Sequence, residues 1–97
     1  MPNLKFQWDP KKAASNAAKH QVTFYEAQTV FLDEDALVIP DPEHSAIESR
    51  FVILGLSTEN QALVVVHCFH EEKTVIRIIS ARKAGTKEQI PYWKNKL

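Results

Sequence analysis

Side chains capable of phosphate chemistry occur close together near the carboxyl end of the chain. Between positions 77 and 92 it carries cations, a carboxylate and a phenol: Arg77, Arg82, Lys83, Lys87, Glu88 and Tyr92. Cleavage of RNA without a metal ion needs a base for the 2′-hydroxyl, an acid for the leaving oxygen and cations for the charged transition state. All of these group types are present, and Arg50 adds a further cation. The segment therefore predicts a site that cleaves phosphodiester bonds.

Strand alternation separates the two arginines of this segment. Arg77 and Arg82 are five positions apart, so a regular strand puts them on opposite faces, and only a bulge would let both reach one phosphate. We take Arg82 as the phosphate ligand, because it lies near the strand end beside Lys83. Arg77 is then available to pair with Glu71 or Glu72 of the neighbouring hairpin.

Glu88 and Tyr92 each have a structural explanation as well as a catalytic one. A glutamate in the first turn of a helix is stabilised by the helix dipole, and a tyrosine often packs its ring in a core. Spacing alone leaves both interpretations open for this pair.

The histidines and the single cysteine do not form a recognisable metal site. His67 and His70 are three positions apart, which suits a helix better than the strand expected there, and His20 and His44 lie in distant segments. His20 ends the basic first helix, where it could contact phosphate or stabilise the helix end. Cys68 is expected to be a buried thiol in a reducing compartment. We expect no metal and no other cofactor.

Charge is unevenly distributed along the chain, although the net formal charge is zero. Residues 1–31 carry a formal charge of +2, residues 32–48 carry −6 and residues 70–97 carry +4. A basic carboxy-terminal region suits a polyanion, and the acidic segment would repel it or attract a basic partner. A solvated surface that keeps the protein soluble explains the same pattern.

The elements that must position these groups follow from length and local signals. A chain of 97 residues predicts one domain, 1–97, with a single core. No apolar run approaches the roughly 20 residues of a membrane span, and no signal-peptide pattern is present, so we expect a cytoplasmic protein with no membrane partner.

Asp9 followed by Pro10 predicts a helix at 11–20. A capping box beginning at Thr23 predicts a second helix at 24–32.

Short runs rich in β-branched residues follow these helices. They predict strands at 36–39, 50–56, 62–69 and 74–82, with connections short enough only for antiparallel neighbours. A second capping-box pattern, beginning at Thr86, opens a final helix that Pro91 should interrupt near Ile90. The predicted fold is therefore α+β, with two N-terminal helices, a four-stranded antiparallel meander sheet and an interrupted C-terminal helix.

Taken in order, these pieces resemble the BrnT family of toxins. The segments that carry the resemblance are Phe6-Gln7-Trp8-Asp9-Pro10-Lys11-Lys12-Ala13, Lys19-His20, Val22-Thr23-Phe24, Val30-Phe31, His44-Ser45, Glu48-Ser49-Arg50, Leu54-Gly55 and Ile76 to Ala84. They cover nearly the whole chain. The Trp-Asp-Pro start and the Ile-Ser-Ala-Arg segment are the most specific.

The resemblance implies a RelE-like ribonuclease fold and cleavage of RNA independently of the ribosome. It also implies neutralisation by a BrnA-type antitoxin, with the complex reaching operator DNA only through the antitoxin. It is compatible with a homodimer or with a heterotetramer that includes the antitoxin. The alternative is a catalytically silent binding module that acts only as the antitoxin's partner in operon autoregulation.

Carried over by position, the family's catalytic corner corresponds to Arg50, Arg82, Glu88 and Tyr92. Arg50 and Arg82 would hold the phosphate, Glu88 would be the base, and Tyr92 would act as the acid or position the substrate. The cations predicted to contact RNA are Lys12, His20, Lys83 and Lys87.

Two departures from the family pattern bear on this assignment. Gln21 stands where the family usually has glycine after the Lys-His pair, and Gln89-Ile90-Pro91 stands where it usually has a basic helix without proline. The second departure matters more, because a broken helix would change the relation of Glu88 to Tyr92 and reduce the charge available to RNA.

Overall fold

The strands and helices are seen in a computed structural model that describes residues 4–41, 49–70 and 74–97. In chain order they are β1 (Lys5–Gln7), α1 (Pro10–His20), α2 (Phe24–Thr29), a 3₁₀ turn (Val30–Leu32), β2 (Leu37–Pro40), β3 (Arg50–Leu56), β4 (Ala62–His70), β5 (Val75–Lys83) and α3 (Ile90–Lys96). The strands form one mixed sheet in the order β1-β5-β4-β3-β2. None of the helices in these ranges has the length and apolar character needed to cross a bilayer.

The first two helices begin where the sequence predicts. The Asp9 carboxylate accepts a 2.8 Å hydrogen bond from the backbone N–H of Lys11, and the Thr23 hydroxyl accepts one of 3.0 Å from the N–H of Glu26. Each cap satisfies a backbone donor that has no partner within its helix. The second predicted helix is confirmed, although its last turn tightens into the 3₁₀ turn.

Helix α1 ends at a residue in the left-handed conformation. Gln21 has φ 57° there, a region in which glycine carries no steric cost. Its side-chain Nε2 donates a 3.0 Å hydrogen bond to the carbonyl of Ala18, which partly offsets that cost. A glutamine therefore occupies this left-handed position with a hydrogen bond from its own side chain to the helix.

The four-stranded antiparallel meander is confirmed, but the sheet has a fifth strand that the sequence did not reveal. Strand β1 pairs in parallel with β5 at the sheet edge, in the register Lys5 with Val75 through Gln7 with Arg77. Three residues are too few to show an alternating pattern. Strand β1 is held by its partner strand and by the packing of Phe6 on Phe31, whose ring centroids are 5.3 Å apart.

One face of the sheet is covered by α1 and α2, and the core lies between these layers. It is built from Val22, Phe24, Ala27, Val30, Ile53, Leu63, Val65, Ile78 and Ala81. Asn16 is a buried polar side chain that joins α1 to β5. Its Nδ2 donates to the Ala81 carbonyl at 2.8 Å and its Oδ1 accepts from the Ala81 N–H at 3.1 Å. Its amide is thus satisfied by hydrogen bonds, as a buried polar group requires.

A β-bulge interrupts the pairing of β4 with β5. Val66 lies opposite Ser80, whereas the next residue, His67, lies opposite Ile78, so one residue of β5 is left without a partner. A bulge shifts the alternation of side chains by one position. Because of it, Arg77 and Arg82 face the same side of the sheet. The prediction that they lie on opposite faces is therefore wrong.

The last helix differs from the prediction at its start. The capping box predicted at Thr86 does not open a helix, and residues 86–89 form turns. Helix α3 begins at Ile90, with Pro91 in its first turn. Proline is favoured there because its missing N–H would have no partner within the helix in any case. Pro91 therefore helps α3 to begin and does not interrupt it.

Candidate functional site

The second face of the sheet, opposite α1 and α2, carries three arginines. Residues opposite one another in a sheet point to the same face. Arg50 on β3 and Arg77 on β5 both lie opposite Cys68, and Arg82 lies opposite Val64. Cys68 and Val64 are four residues apart on β4 and so point to the same side of the sheet. We call this side of the sheet the arginine face. It contains the side chains of Arg50, Arg77 and Arg82 together with the apolar residues between them.

Arg82 forms a two-pronged ion pair with Glu88. Its Nη1 and Nη2 donate hydrogen bonds of 2.7 and 2.6 Å to the two carboxylate oxygens. The N–H of Gly85 donates a third hydrogen bond, of 2.8 Å, to Glu88 Oε1. The two charged side chains are 45% and 40% exposed. The turn before α3 therefore brings a carboxylate onto the guanidinium that the sequence assigned to phosphate.

These contacts change the proton affinity of both groups. The hydrogen bonds from Arg82, and then that from Gly85, lower the pKa of Glu88 to about 2. The hydrogen bonds to Glu88 raise the pKa of Arg82. A carboxylate with so low a pKa is a weak acceptor for a proton near neutrality. The geometry does not favour Glu88 as the general base that the sequence predicted.

Tyr92 lies inside the protein. Its side chain is 0% exposed, and its hydroxyl donates a 2.6 Å hydrogen bond to Asp33 Oδ2. Burial, followed by this hydrogen bond, raises the pKa of the Tyr92 phenol. The structure places the hydroxyl beside Asp33, where substrate would not reach it without movement of α3. A catalytic role for Tyr92 is not favoured by this arrangement.

Asp33 connects α3 to the rest of the fold. Its Oδ2 accepts from Tyr92 and also from the N–H of Leu56 at 2.8 Å. Burial alone would raise the pKa of Asp33, but the hydrogen bonds that it accepts lower it. Gly55 lies against the same carboxylate, since a Cβ there would be 3.0 Å from Asp33 Oδ2 and 2.9 Å from the Cβ of Ala36. The lack of a side chain at Gly55 therefore leaves room for Asp33 to receive Tyr92.

Arg50 and Arg82 share the arginine face but not one position on it. Their partners Cys68 and Val64 are four residues apart on β4, which is about 13 Å at the usual rise per residue. The four residues assigned to catalysis from the sequence are thus divided among three places. Arg82 and Glu88 lie together, Tyr92 is buried, and Arg50 lies further along the sheet.

The cations predicted to contact RNA are also divided. Lys83 and Lys87 are exposed near Arg82, at the end of β5 and in the following turn. Lys12 is exposed and His20 half-buried on α1, which packs on the other face of the sheet through Asn16 and Ala81. Lys12 and His20 therefore belong to the helix that covers the other face of the sheet from Arg82.

A histidine for which the sequence suggested no role other than metal binding lies on the same face as the arginines. His70 is exposed, and its Nε2 is 3.5 Å from Cys68 Sγ. Alternation along β4 puts both residues on the arginine face, a signal that could have been read from the sequence. His67 points to the opposite face and is buried. Within 4–41, 49–70 and 74–97, no three His, Cys, Asp or Glu side chains are grouped to hold a metal ion.

An apolar groove of about 260 Å³ adjoins the Arg82–Glu88 pair. It is lined by Leu37, Ile39, Val52, Leu54, Val64, Glu88 and Pro91. Its strand residues all belong to the arginine face, and Ile39 is 58% exposed. Exposed apolar surface bordered by charge is typical of an interaction site.

Comparison with known proteins gives two consistent matches. The family model described as the ribonuclease toxin BrnT of the type II toxin–antitoxin system matches residues 8–88. Among solved structures, the crystal structure of the Brucella abortus ribonuclease toxin BrnT is similar, with a TM-score of 0.67 and 22% sequence identity. The match covers 86% of this chain and 99% of that one. It supports the α+β fold and does not test the predicted RelE likeness. No curated protein sequence matches this chain.

Proposed function

Because this chain belongs to the family of BrnT ribonuclease toxins of type II toxin–antitoxin systems, we propose that it cleaves RNA bound across the arginine face. The alignment of Arg50, Arg77 and Arg82 on one side of the sheet carries this proposal. A guanidinium can hold phosphate oxygens in a planar fork. Cations spread along one face suit the repeated charges of a polyanion.

The proposed cleavage needs no metal ion. Negative charge develops on the phosphate oxygens as the 2′-oxygen attacks, and fixed cations stabilise that charge. In this proposal Arg82 is one of these cations, and an RNA phosphate replaces Glu88 as the anion on it. Glu88 then holds Arg82 in position before RNA binds, and Tyr92 fixes α3. Lys83 and Lys87 contribute further attraction for RNA beside Arg82.

The experiment is an RNA cleavage assay with the purified chain and a chelator. We expect single-stranded RNA to be cut in the presence of EDTA, with 2′,3′-cyclic phosphate and 5′-hydroxyl ends. The same RNA with 2′-deoxy sugars should bind and remain intact. A variant in which Arg77 and Arg82 are both replaced by alanine is the inactive control. Cleavage that appears only after a divalent metal is added would contradict the metal-independent mechanism.

We further propose that a BrnA-type antitoxin neutralises the chain by covering Arg82 and the neighbouring groove. The apolar lining suits aliphatic side chains of a partner, while Arg82, Lys83 and Lys87 suit its acidic groups. Binding should weaken as salt concentration rises, because these charges are exposed. A Lys83→Glu, Lys87→Glu double variant should bind the antitoxin less tightly, whereas Lys19→Glu on α1 should not. A complex in which RNA still binds at Arg82 would contradict this placement.

One observation favours the alternative, a silent module that only binds the antitoxin. Arg82 is already neutralised by Glu88, so the pair in this state offers RNA less charge than the sequence suggests. Expression of the chain without its antitoxin distinguishes the two functions. An active ribonuclease should arrest growth, and a silent module should not.

A further inference from the structure

The aromatic ring of Trp93, on α3, is held in a fixed orientation at the protein surface. The residue is 41% exposed, and its Nε1 donates a 3.0 Å hydrogen bond to Gln89 Oε1. The nitrogen of the same amide, Gln89 Nε2, donates to the Ala84 carbonyl at 3.1 Å. The Tyr92 ring packs against the indole nearly at a right angle, with ring centroids 5.1 Å apart. A large exposed ring is therefore oriented before any partner binds, which lowers the entropy cost of binding to it.

The indole of Trp93 offers a partner its π-surface and not its hydrogen-bond donor. The ring N–H is the only donor of a tryptophan side chain, and Gln89 already accepts it. A partner that binds here must therefore pack flat on the ring without needing that hydrogen bond. Nucleobases do so, because each of them has a flat π-face and stacks on aromatic side chains whatever its sequence.

Three lysines accompany this ring on α3 and in the turn before it. Lys96 Nζ lies 5.9 Å from the centroid of the Trp93 ring, and Lys94 and Lys87 are both exposed. Among the described residues, none of the three lysines forms an ion pair, although Lys96 also attracts the Asp33 carboxylate at longer range. Their positive charge is therefore available to the phosphates of a nucleic acid.

An exposed tryptophan is also a common protein contact, and the charges around Trp93 distinguish the two kinds of partner. Lysine is depleted at protein–protein interfaces, whereas cations beside aromatic rings are typical of surfaces that bind single-stranded nucleic acid. The position in the fold favours RNA as well. Ala84, which anchors Gln89, directly follows Lys83 at the end of β5. The indole is thus at the same end of β5 as Arg82.

We propose that Trp93 stacks with an unpaired base of the RNA, while Lys94 and Lys96 contact the phosphates beside that base. This inference rests on the proposed ribonuclease function and adds a selectivity to it. A base can lie on the indole only when it is not paired and stacked in a duplex, so the chain selects single-stranded RNA. Helix α3 lies after residues 8–88, the part that matches the family model.

The test measures the Kd for an uncleavable 2′-deoxy oligonucleotide, single-stranded and as a duplex. Loss of one stacked base should weaken single-strand binding of Trp93→Leu by about fivefold to 150-fold, and the preference for single strand over duplex should fall by the same factor. Trp93→Phe should keep most of the affinity, because it keeps a ring. Tyr25→Leu is the matched control and should bind like the parent, since Tyr25 is 72% exposed on the helix layer of the opposite face.

Oligonucleotides that lack one base at a time separate stacking from a structural effect of the substitution. Removal of the base that lies on Trp93 should weaken binding of the parent about as much as Trp93→Leu does. The same removal should cost Trp93→Leu no further affinity, because the base and the indole are the two partners of one contact. A change in fold would instead weaken binding of every oligonucleotide alike.

The outcomes separate this inference from the function on which it rests. A parent protein that neither binds nor cleaves RNA overturns both. A parent that cleaves RNA while Trp93→Leu binds single strand and duplex as the parent does overturns the stacking site alone. A loss of affinity that adds to the loss from every missing base also overturns it. So does a variant that binds RNA normally and the antitoxin weakly, because Trp93 would then be a protein contact.

Discussion

Arg77 and Arg82 face the same side of the sheet although they are five positions apart in the sequence. The bulge opposite Val66 and His67 adds one residue between them and reverses the alternation. Two cations that a regular strand would separate therefore lie on one face of the sheet, and Arg82 is held there by Glu88. The consequences can be measured with conservative variants.

Arg82→Lys should lower RNA cleavage by about a hundredfold to a thousandfold, the usual loss for removing one well-placed contact to a charged transition state. Lysine keeps the charge but not the planar fork. Arg77→Lys should also lower cleavage strongly, because Arg77 lies on the same face as Arg82. In a regular strand without the bulge, Arg77 would lie on the other face and its replacement would have only a small effect. Cleavage rates and melting temperatures of both variants should be compared with those of Lys19→Arg, an exposed cation on α1. Full activity in Arg82→Lys would remove that residue from the site.

Glu88→Gln should bind RNA more tightly than the parent. The ion pair with Arg82 competes with phosphate, and such a half-exposed pair is worth at most about 1 kcal/mol, or about fivefold in Kd. Cleavage should survive, because a group whose pKa is about 2 is not the base in our proposal. The measurement is RNA affinity together with single-turnover rate. If cleavage is lost while affinity is unchanged, Glu88 is the base after all.

Tyr92→Phe should destabilise the protein without removing its chemistry. Deleting the hydroxyl leaves Asp33 without a 2.6 Å hydrogen bond, and loss of a partner for a charged group typically costs about 1–3 kcal/mol of unfolding free energy. Urea denaturation measures this change. Tyr25→Phe is the control, since Tyr25 is 72% exposed. A variant with parental stability and greatly reduced cleavage would instead support the role of acid predicted from the sequence.

His67 should make the fold less stable in mild acid. It is buried, and its Nε2 has no hydrogen-bond partner among the described residues. Burial lowers the pKa of His67, although a hydrogen bond to the Val65 carbonyl opposes this. The unfolded chain therefore gains a proton near pH 6.5 while the folded chain does not, so stability is lost as pH falls from about 6.5 toward the folded pKa.

His67→Leu removes this proton linkage. We expect the free energy of unfolding of the variant to fall less between pH 7 and pH 5 than that of the parent. The centroid of the His67 ring lies 4.8 Å from that of Phe31 and 5.4 Å from that of Phe69. Because these neighbours are apolar, leucine should be tolerated there. Equal pH dependence in the two proteins would show that His67 does not contribute.

Local signals in the sequence were enough to determine the start of two helices and the order of four strands. Asp9 with Pro10 and the capping hydroxyl of Thr23 act within one helical turn, so they need no distant partner. Short connections between β-branched runs leave only antiparallel pairing. The order and spacing of the quoted segments also predicted the family correctly.

The arrangement of the site depended on contacts between residues that are distant in the chain. The bulge exists only in the pairing of β4 with β5, and a shift of one residue moves every later side chain to the other face. Tyr92 meets Asp33 across 59 positions, a contact that no local pattern encodes. The sequence determined which charged and polar groups this protein has, and tertiary pairing decided which of them share a face, because register is set between strands and not within one.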